Sequence, residues 1–234
     1  MNAVIGDFLG QIKLGKAQVH EHMTVFPLLR AHDAQAQYLT LDEALATERL
    51  RITERGEAGS VPALFLHNTS EQWVLIFDGE ELVGAKQNRI VNTTILVRAG
   101  SAIEIPVSCV EQGRWSYASK HFGSERRMMY AGLRAAKADQ VLCSVRGGGT
   151  FEADQSAIWK AIDERSVRST VTSRTGAMAD IYVHEKNALD RYEQAFSVQD
   201  DQLGAIFAID GKIVGLECFG RRDTLRALFV GSPD

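Results

Sequence analysis

Residues 78–115 read DGEELVGAKQNRIVNTTILVRAGSAIEIPVSCVEQGRW, and the class of the fold turns on how this run is parsed. Asp78-Gly79 marks a tight turn, because glycine accepts the positive φ that hairpin connections require. On either side of the polar AKQN (85–88), EELVG (80–84) and RIVNTTILV (89–97) have the apolar, β-branched character of strands. Ala99-Gly100-Ser101 turns the chain once more. In the strand that follows, Ile103, Ile105, Val107 and Cys109 share one face, while Ala102, Glu104, Pro106 and Ser108 share the other. Pro106 has no N–H to give to a ladder, which predicts an edge strand.

Upstream, AQVHEHMTVFPLLR (17–30) predicts an early strand ending near Pro27. LTLDEALA (39–46), with Thr40 ahead of acidic residues, predicts a short capped helix. ERLRITER (48–55), VPALFLHN (61–68) and QWVLIFD (72–78) read as strands, separated by a glycine-containing stretch at 56–60 and a polar one at 68–71. Downstream, Met129, Leu133 and Ala136 fall at helical spacing within 125–145, and Gly147-Gly148-Gly149 reads as a flexible connector. Helices are expected over 152–165, from Ile158, Trp159 and Ile162, and over 177–197, from Ile181, Leu189, Tyr192 and Phe196. LGAIFAID (203–210) and KIVGLECF (212–219) flank Asp210-Gly211 as a hairpin, and RDTLRALF (222–229) reads as a short helix.

Strands come first, helices next and a hairpin last. That order predicts an α+β fold: an antiparallel β-rich N-terminal half, a helical segment and a C-terminal β-hairpin. Residues 1–118 would form the β-rich part with the polar run, and 119–234 the helical part with its hairpin, packed as one globular unit.

With 234 residues, 45% hydrophobic and 24% charged, the chain has enough apolar side chains for a full core. A formal net charge of -4 lacks the basic excess of a dedicated nucleic-acid binder, so no nucleic-acid partner is expected. Cys109, Cys143 and Cys218 lie far apart without metal or disulfide spacing, which predicts free thiols packed as small core residues in a reducing compartment. MNAVIGDFLGQIKLGK (1–16) has no basic lead before an apolar stretch, and the apolar runs are too short to span a bilayer. The expected setting is cytoplasmic, away from membranes. Composition does not bear on oligomeric state.

The polar density of 78–115 is the anomaly. Glu80, Glu81, Lys86, Gln87, Asn88, Arg89 and Asn92 crowd between apolar strands, and the run closes on CVEQGRW. Glu111 keeps the parity of Ile103, Ile105, Val107 and Cys109, so a continuing strand points it at the apolar face. A carboxylate there is costly unless paired or reached by solvent, and Arg114, Lys86 and Arg89 are candidate partners. Two readings stand side by side. In one, Glu111 and Glu80 serve proton transfer or bind ligand hydroxyls. Lys86, Arg89 and Arg114 then hold phosphate, Gln87 and Asn88 orient the ligand, and Trp115 stacks on a base. In the other, Glu111 and Arg114 form a structural ion pair, Gln87, Asn88 and Asn92 cap backbone, and Trp115 plugs the core.

Weaker signals point elsewhere. Cys109 could act as a nucleophile with His67 or His121, although its inward parity speaks against that. His20 and His22 share a strand face but lack an acidic or cysteine partner at matching spacing, so no metal site is expected. The glycine run has no following Lys-Ser/Thr of a phosphate loop. Arg126-Arg127 and Arg221-Arg222 read as solvated charges at helix starts.

The same runs carry a resemblance. DGEELVGAKQNRIVNTTILV (78–97) with IPVSCVEQGRW (105–115) resembles the core signature of the ARPP domain family. That name abbreviates ADP-ribosylglycohydrolase and rhodanese–phosphatase-superfamily associated protein. TVFPLL (24–29), ITE (52–54), AIWKAI (157–162) and GAIFAIDGKIVGLECF (204–219) support it over most of the chain. Through genomic context, the resemblance implies binding or processing of an ADP-ribose, NAD-derived or other nucleotide-like small molecule. By match to the signature it marks Glu80, Glu111, Lys86, Gln87, Asn88, Arg89, Arg114 and Trp115. No resident cofactor is expected. The competing expectation is a non-enzymatic interaction or structural module whose polar run is a buried ion-pair network. Whether the chain is an enzyme stays open at this level.

Overall fold

The computed structural model describes residues 3–32, 34–56 and 59–229. In chain order its elements begin α1 (Ala3–Gly10), β1 (Lys13–Leu14), β2 (Gln18–His20), β3 (Met23–Leu29), β4 (Tyr38–Thr40), α2 (Leu41–Ala46), β5 (Leu50–Glu54), β6 (Ala63–Asn68), β7 (Trp73–Ile76) and β8 (Glu80–Gly84). They continue with β9 (Arg89–Val91), β10 (Ile95–Val97), β11 (Ser101–Cys109), β12 (Phe122–Met128), α3 (Ala131–Gly148), α4 (Gln155–Arg168), α5 (Met178–Ala195), β13 (Gln202–Ile209), β14 (Lys212–Cys218) and α6 (Arg222–Phe229). The order is α+β as expected: antiparallel strands through the first half, helices in the middle, and a closing hairpin with a short helix. Of the expected 56–60 connection, residues 57 and 58 lie outside the described residues.

The chain divides into two compact units, residues 37–186 and residues 1–36 with 187–234, the division falling within α5. In the terminal unit β3 runs antiparallel to β13, from Met23 opposite Ile209 to Leu29 opposite Gln202. The early strand therefore passes Pro27 and ends at Leu29. β13 and β14 form the expected hairpin at Asp210-Gly211, whose φ values of +47° and +75° are those of a type I′ turn.

The unit of residues 37–186 contains a six-stranded antiparallel sheet ordered β12-β8-β9-β11-β6-β5, and a three-stranded sheet ordered β10-β7-β4, in which β4 is parallel to β7. Thr40 caps α2 as predicted: its hydroxyl accepts the Glu43 N–H while the Glu43 carboxylate accepts the Thr40 N–H. Leu41, Val74 and Ile76 meet Ile52, Leu64, Leu66, Leu82, Val91 and Ile105 in one apolar core. A second core joins Ile90 and Val110 to Leu133, Ile158, Ile162, Met178 and Ile181 of α3, α4 and α5. The large sheet is thus covered on both faces, and β9 sends Val91 into one core and Ile90 into the other.

Several expectations change in this setting. β11 is an interior strand. It pairs with β6 through Pro106 and with β9 from Val107, so the proline sits where one ladder hands over to the other and its missing N–H interrupts neither. RIVNTTILV is not one strand but two, β9 and β10, which join different sheets. The break falls at Asn92, whose side chain accepts from the Ser108 hydroxyl at 2.8 Å and donates to the Phe151 carbonyl at 2.9 Å. The helix expected from 125 starts at Ala131, because Phe122–Met128 pairs with β8 as β12. Arg127 lies on that strand and engages the buried Glu81 at 2.6 Å instead of standing in solvent at a helix start. α3 continues through Gly147 and Gly148, and Gly149, at φ +79°, ends it in the left-handed cap conformation. Cys109 is a core residue, whereas Cys143 is exposed. Among the described residues, no helix is long and apolar enough to cross a membrane.

α3 also buries a charge. The fully buried Lys137 ammonium donates to Asp78 and to the carbonyls of Val91 at 3.1 Å and Asn92 at 2.9 Å. Burial pulls its pKa down while the Asp78 carboxylate works in the opposite direction. The amine therefore ties the helix to the Asp78-Gly79 turn and to the end of β9. Lys137→Ala should lower stability by about 3–5 kcal/mol, the usual effect of breaking a buried pair. Urea denaturation checks this, and a loss below about 1 kcal/mol would assign the anchor to packing alone.

Candidate functional site

The β8–β9 connection turns tightly, with Gly84 at φ +122° and the non-glycine Ala85 at φ +40°. Holding Ala85 there carries local strain, which the surrounding bonds must over-determine. Those bonds converge on Asn88. Its N–H donates to Glu111 Oε2 at 3.1 Å and its carbonyl accepts the Val110 N–H at 3.0 Å. Its side-chain oxygen accepts from the Gly84 N–H and from Arg114 Nη2, and its side-chain amide donates to Glu81 Oε1. Asn88 is therefore a backbone anchor inside the sheet.

Glu111 is buried, as its parity predicted, and pairs with Arg114 at 2.6 Å. Burial pushes its pKa up, but the Arg114 hydrogen bond, the Asn88 N–H and the Thr175 hydroxyl together bring it below the ordinary carboxylate value. The group is an anion at neutral pH, suited to accept hydrogen bonds. Arg114 also donates to the carbonyls of Gly84, Ala85 and Ser116. Beside this pair opens a cleft of ≈ 590 Å³, edged by Val171, Thr172, Arg174, Thr175, Asp180, Val183 and His184. The segment entering α5 shapes it: Ala177 bridges Glu111, and the Ser173 hydroxyl donates to Asp180 at 2.5 Å. Arg174 and His184 are exposed on its rim and make no hydrogen bond or salt bridge among the described residues.

A second group gathers below Trp115. Arg89 has a fully buried side chain, and its Nη1 donates to the Gln87 carbonyl and to Gln87 Oε1. The Trp115 ring lies 5.7 Å from its guanidinium, and Lys86 Nζ lies 5.4 Å from Trp115 and 5.1 Å from Tyr117. Trp115 is 49% exposed, so it roofs charged groups instead of plugging a core. Glu54 closes the group from β5, accepting the Lys86 N–H at 3.3 Å. Cys109 lies close enough to feel Arg89 and Glu54, yet burial pushes its thiol up to about 11. A buried, protonated thiol does not suit nucleophilic attack.

The expected residues thus fall into separate places. Glu111 and Arg114 line the cleft, with Asn88 bonded to both; Lys86, Gln87, Arg89 and Trp115 come together under the indole; Glu80 stands apart at the start of β8. Sequence reading missed Glu54, Tyr117, Arg174 and His184. Glu54 shares parity with the buried Leu50 and Ile52, a signal as good as the one that exposed Glu111. Arg174 and His184 carry no such signal, since only the path of the chain brings them to Glu111.

The chain matches the family model ARPP-1, described as ARG and Rhodanese-Phosphatase-superfamily-associated Protein domain, over residues 11–231. No curated protein and no solved structure matches it.

Glu80 is buried beside the Phe77 N–H, and its pKa is raised to about 8, chiefly by loss of hydration and further by Asp42. Between pH 4.5 and about 8 the unfolded chain releases this proton while the folded chain retains it. Stability should therefore fall as pH rises through that window, by on the order of a few kcal/mol. Glu80→Gln should flatten the decline in urea midpoint from pH 5 to pH 8, and an unchanged slope would show that Glu80 is ionised in the fold.

Proposed function

The chain belongs to the ARPP-1 family, and on that premise we propose that its 37–186 unit binds or processes a nucleotide-derived small molecule of the ADP-ribose kind. The ADP-ribosylglycohydrolase in the family's name supports the ligand class. The observation that carries the reading is the cleft, where a buried, ionised Glu111 lies within the same walls as the uncommitted Arg174 and His184. A diphosphate needs cationic donors free to leave water, and a ribose needs a carboxylate that accepts from hydroxyls. Arg174 and His184 would take the phosphates. Glu111 would accept from ribose hydroxyls and could act as the base in any proton transfer. Arg114, with most of its donors directed at carbonyls, would position Glu111, and Asn88 would fix that carboxylate from the other side.

The donors of Arg114 favour a second reading as well. Because they hold Gly84, Ala85 and Ser116, the Glu111–Arg114 pair also has the makings of a purely structural knot in a non-enzymatic module. Calorimetry with ADP-ribose separates the two. Ligand binding predicts saturable heat, with Arg174→Ala weakening it by roughly tenfold or more and leaving the melting temperature unchanged. Absence of heat at millimolar ADP-ribose, together with a large loss of stability in Glu111→Gln, would leave the structural reading alone.

A further inference from the structure

The group below Trp115 contains hydrogen-bonding capacity that the fold does not use. Arg89 is fully buried, yet its Nε and Nη2 have no hydrogen-bond partner among the described residues. These two nitrogens form one edge of the guanidinium, the edge whose parallel N–H bonds match two oxygens of an oxyanion. Nη1, on the far side, is already engaged by Gln87, so the fold fixes the plane of the fork and leaves that edge unspent. The Trp115 ring covers the guanidinium, which orients the group without consuming a donor.

Beside that edge is a carboxylate in the same condition. Glu54 has a side chain only 3% exposed, with Oε1 3.8 Å from Arg89 Nη2 and accepting the Lys86 N–H, while Oε2 has no hydrogen-bond partner among the described residues. Gly59 is the backbone next to that oxygen. A Cβ there would lie 3.4 Å from Oε2, 3.2 Å from Lys86 Cδ and 3.4 Å from the Trp115 ring, and its φ of +78° favours glycine. Lys86 adds a second positive charge under Trp115 and Tyr117. Among the described residues, orphaned donors thus lie on one wall and an orphaned acceptor on the next. Leaving buried charged groups half-satisfied is costly, and a ligand with complementary functions would relieve both.

We infer that Arg89, Glu54 and Lys86, roofed by Trp115, form a subsite for a protonated oxyanion, the monoanionic phosphate group of a phosphomonoester. The Arg89 edge takes two phosphate oxygens, Lys86 supplies charge, and Glu54 Oε2 accepts the P–O–H proton. A carboxylate facing an oxyanion repels it unless the oxyanion brings a hydrogen, and that condition sets the selectivity. Sulfate has the same tetrahedral shape but carries no proton at neutral pH, so it meets Glu54 oxygen to oxygen. Entry requires the half-exposed Trp115 ring to swing aside. The subsite uses residues other than the cleft rim and does not depend on the nucleotide reading.

Inorganic phosphate and sulfate are the probes, followed by calorimetry and tryptophan fluorescence on the whole chain. Phosphate should bind saturably and change the emission, and sulfate should bind at least about tenfold more weakly. Glu54→Gln, whose amide can donate to either ion, should bring the two affinities close together. Trp115→Phe should abolish the emission change while calorimetric binding persists, and Arg174→Ala should leave phosphate binding intact. Equal affinity for the two ions in the unmutated protein would overturn the proposal without recourse to any variant. So would loss of phosphate binding in Arg174→Ala, which would place the ion in the cleft. Failure of ADP-ribose to bind, with phosphate selectivity retained, would sink the cleft reading and leave this one standing.

Discussion

The hydrogen bonding of Asn88 holds the centre of the 37–186 unit together. One residue joins the end of β8, the start of β9, the end of β11 and the Arg114 side chain through both its backbone and its amide. The constraint is stringent because the sheet is covered on both faces, so every polar group at its middle must find a partner within the protein or a ligand. The strained Ala85, the depressed Glu111 and the carbonyls facing Arg114 all follow from that requirement.

Such a network is a poor source of stability, since well-packed apolar side chains in its place would serve as well or better. Its value lies in specificity of position. Glu111 is brought to the wall of a cleft with its charge intact, while Glu81, deeper and beside Arg127, has its pKa raised by burial despite that partner. Glu80, held by the Phe77 backbone N–H, is raised to about 8. Three carboxylates in one short stretch of structure therefore meet three different electrostatic surroundings, set by the partners each one reaches.

The two polar groups also differ in how they treat charge. At the cleft, the side chains of Arg174 and His184 stand exposed on the rim, where screening weakens each interaction but access is free. Under Trp115, Arg89 is out of water altogether, so any partner it gains counts for more and any it lacks costs more. The open charge of the cleft and the roofed charge under Trp115 are thus two distinct electrostatic settings within one unit.

Local chemistry alone determined a good deal of this. The Thr40 capping box, the Asp210-Gly211 hairpin, the α+β order and the inward Glu111 all follow from interactions between residues close in the chain, where spacing and φ preference are decisive. The interior place of β11, the extension of β12 to Met128 and the division of RIVNTTILV between two sheets were decided only in three dimensions. In each of these the outcome depends on a partner far away: β6 and β9 on either side of Pro106, Glu81 for Arg127, and Ser108 with Phe151 for Asn92. The same holds for the site. The sequence marked the residues 78–115 as unusual because buried polarity leaves a local trace in strand parity. It left Arg174, His184 and Tyr117 unmarked, because an exposed side chain that meets its neighbours only through the path of the backbone obeys no periodicity. Burial is a property of a strand and can be read along it; proximity is a property of the fold.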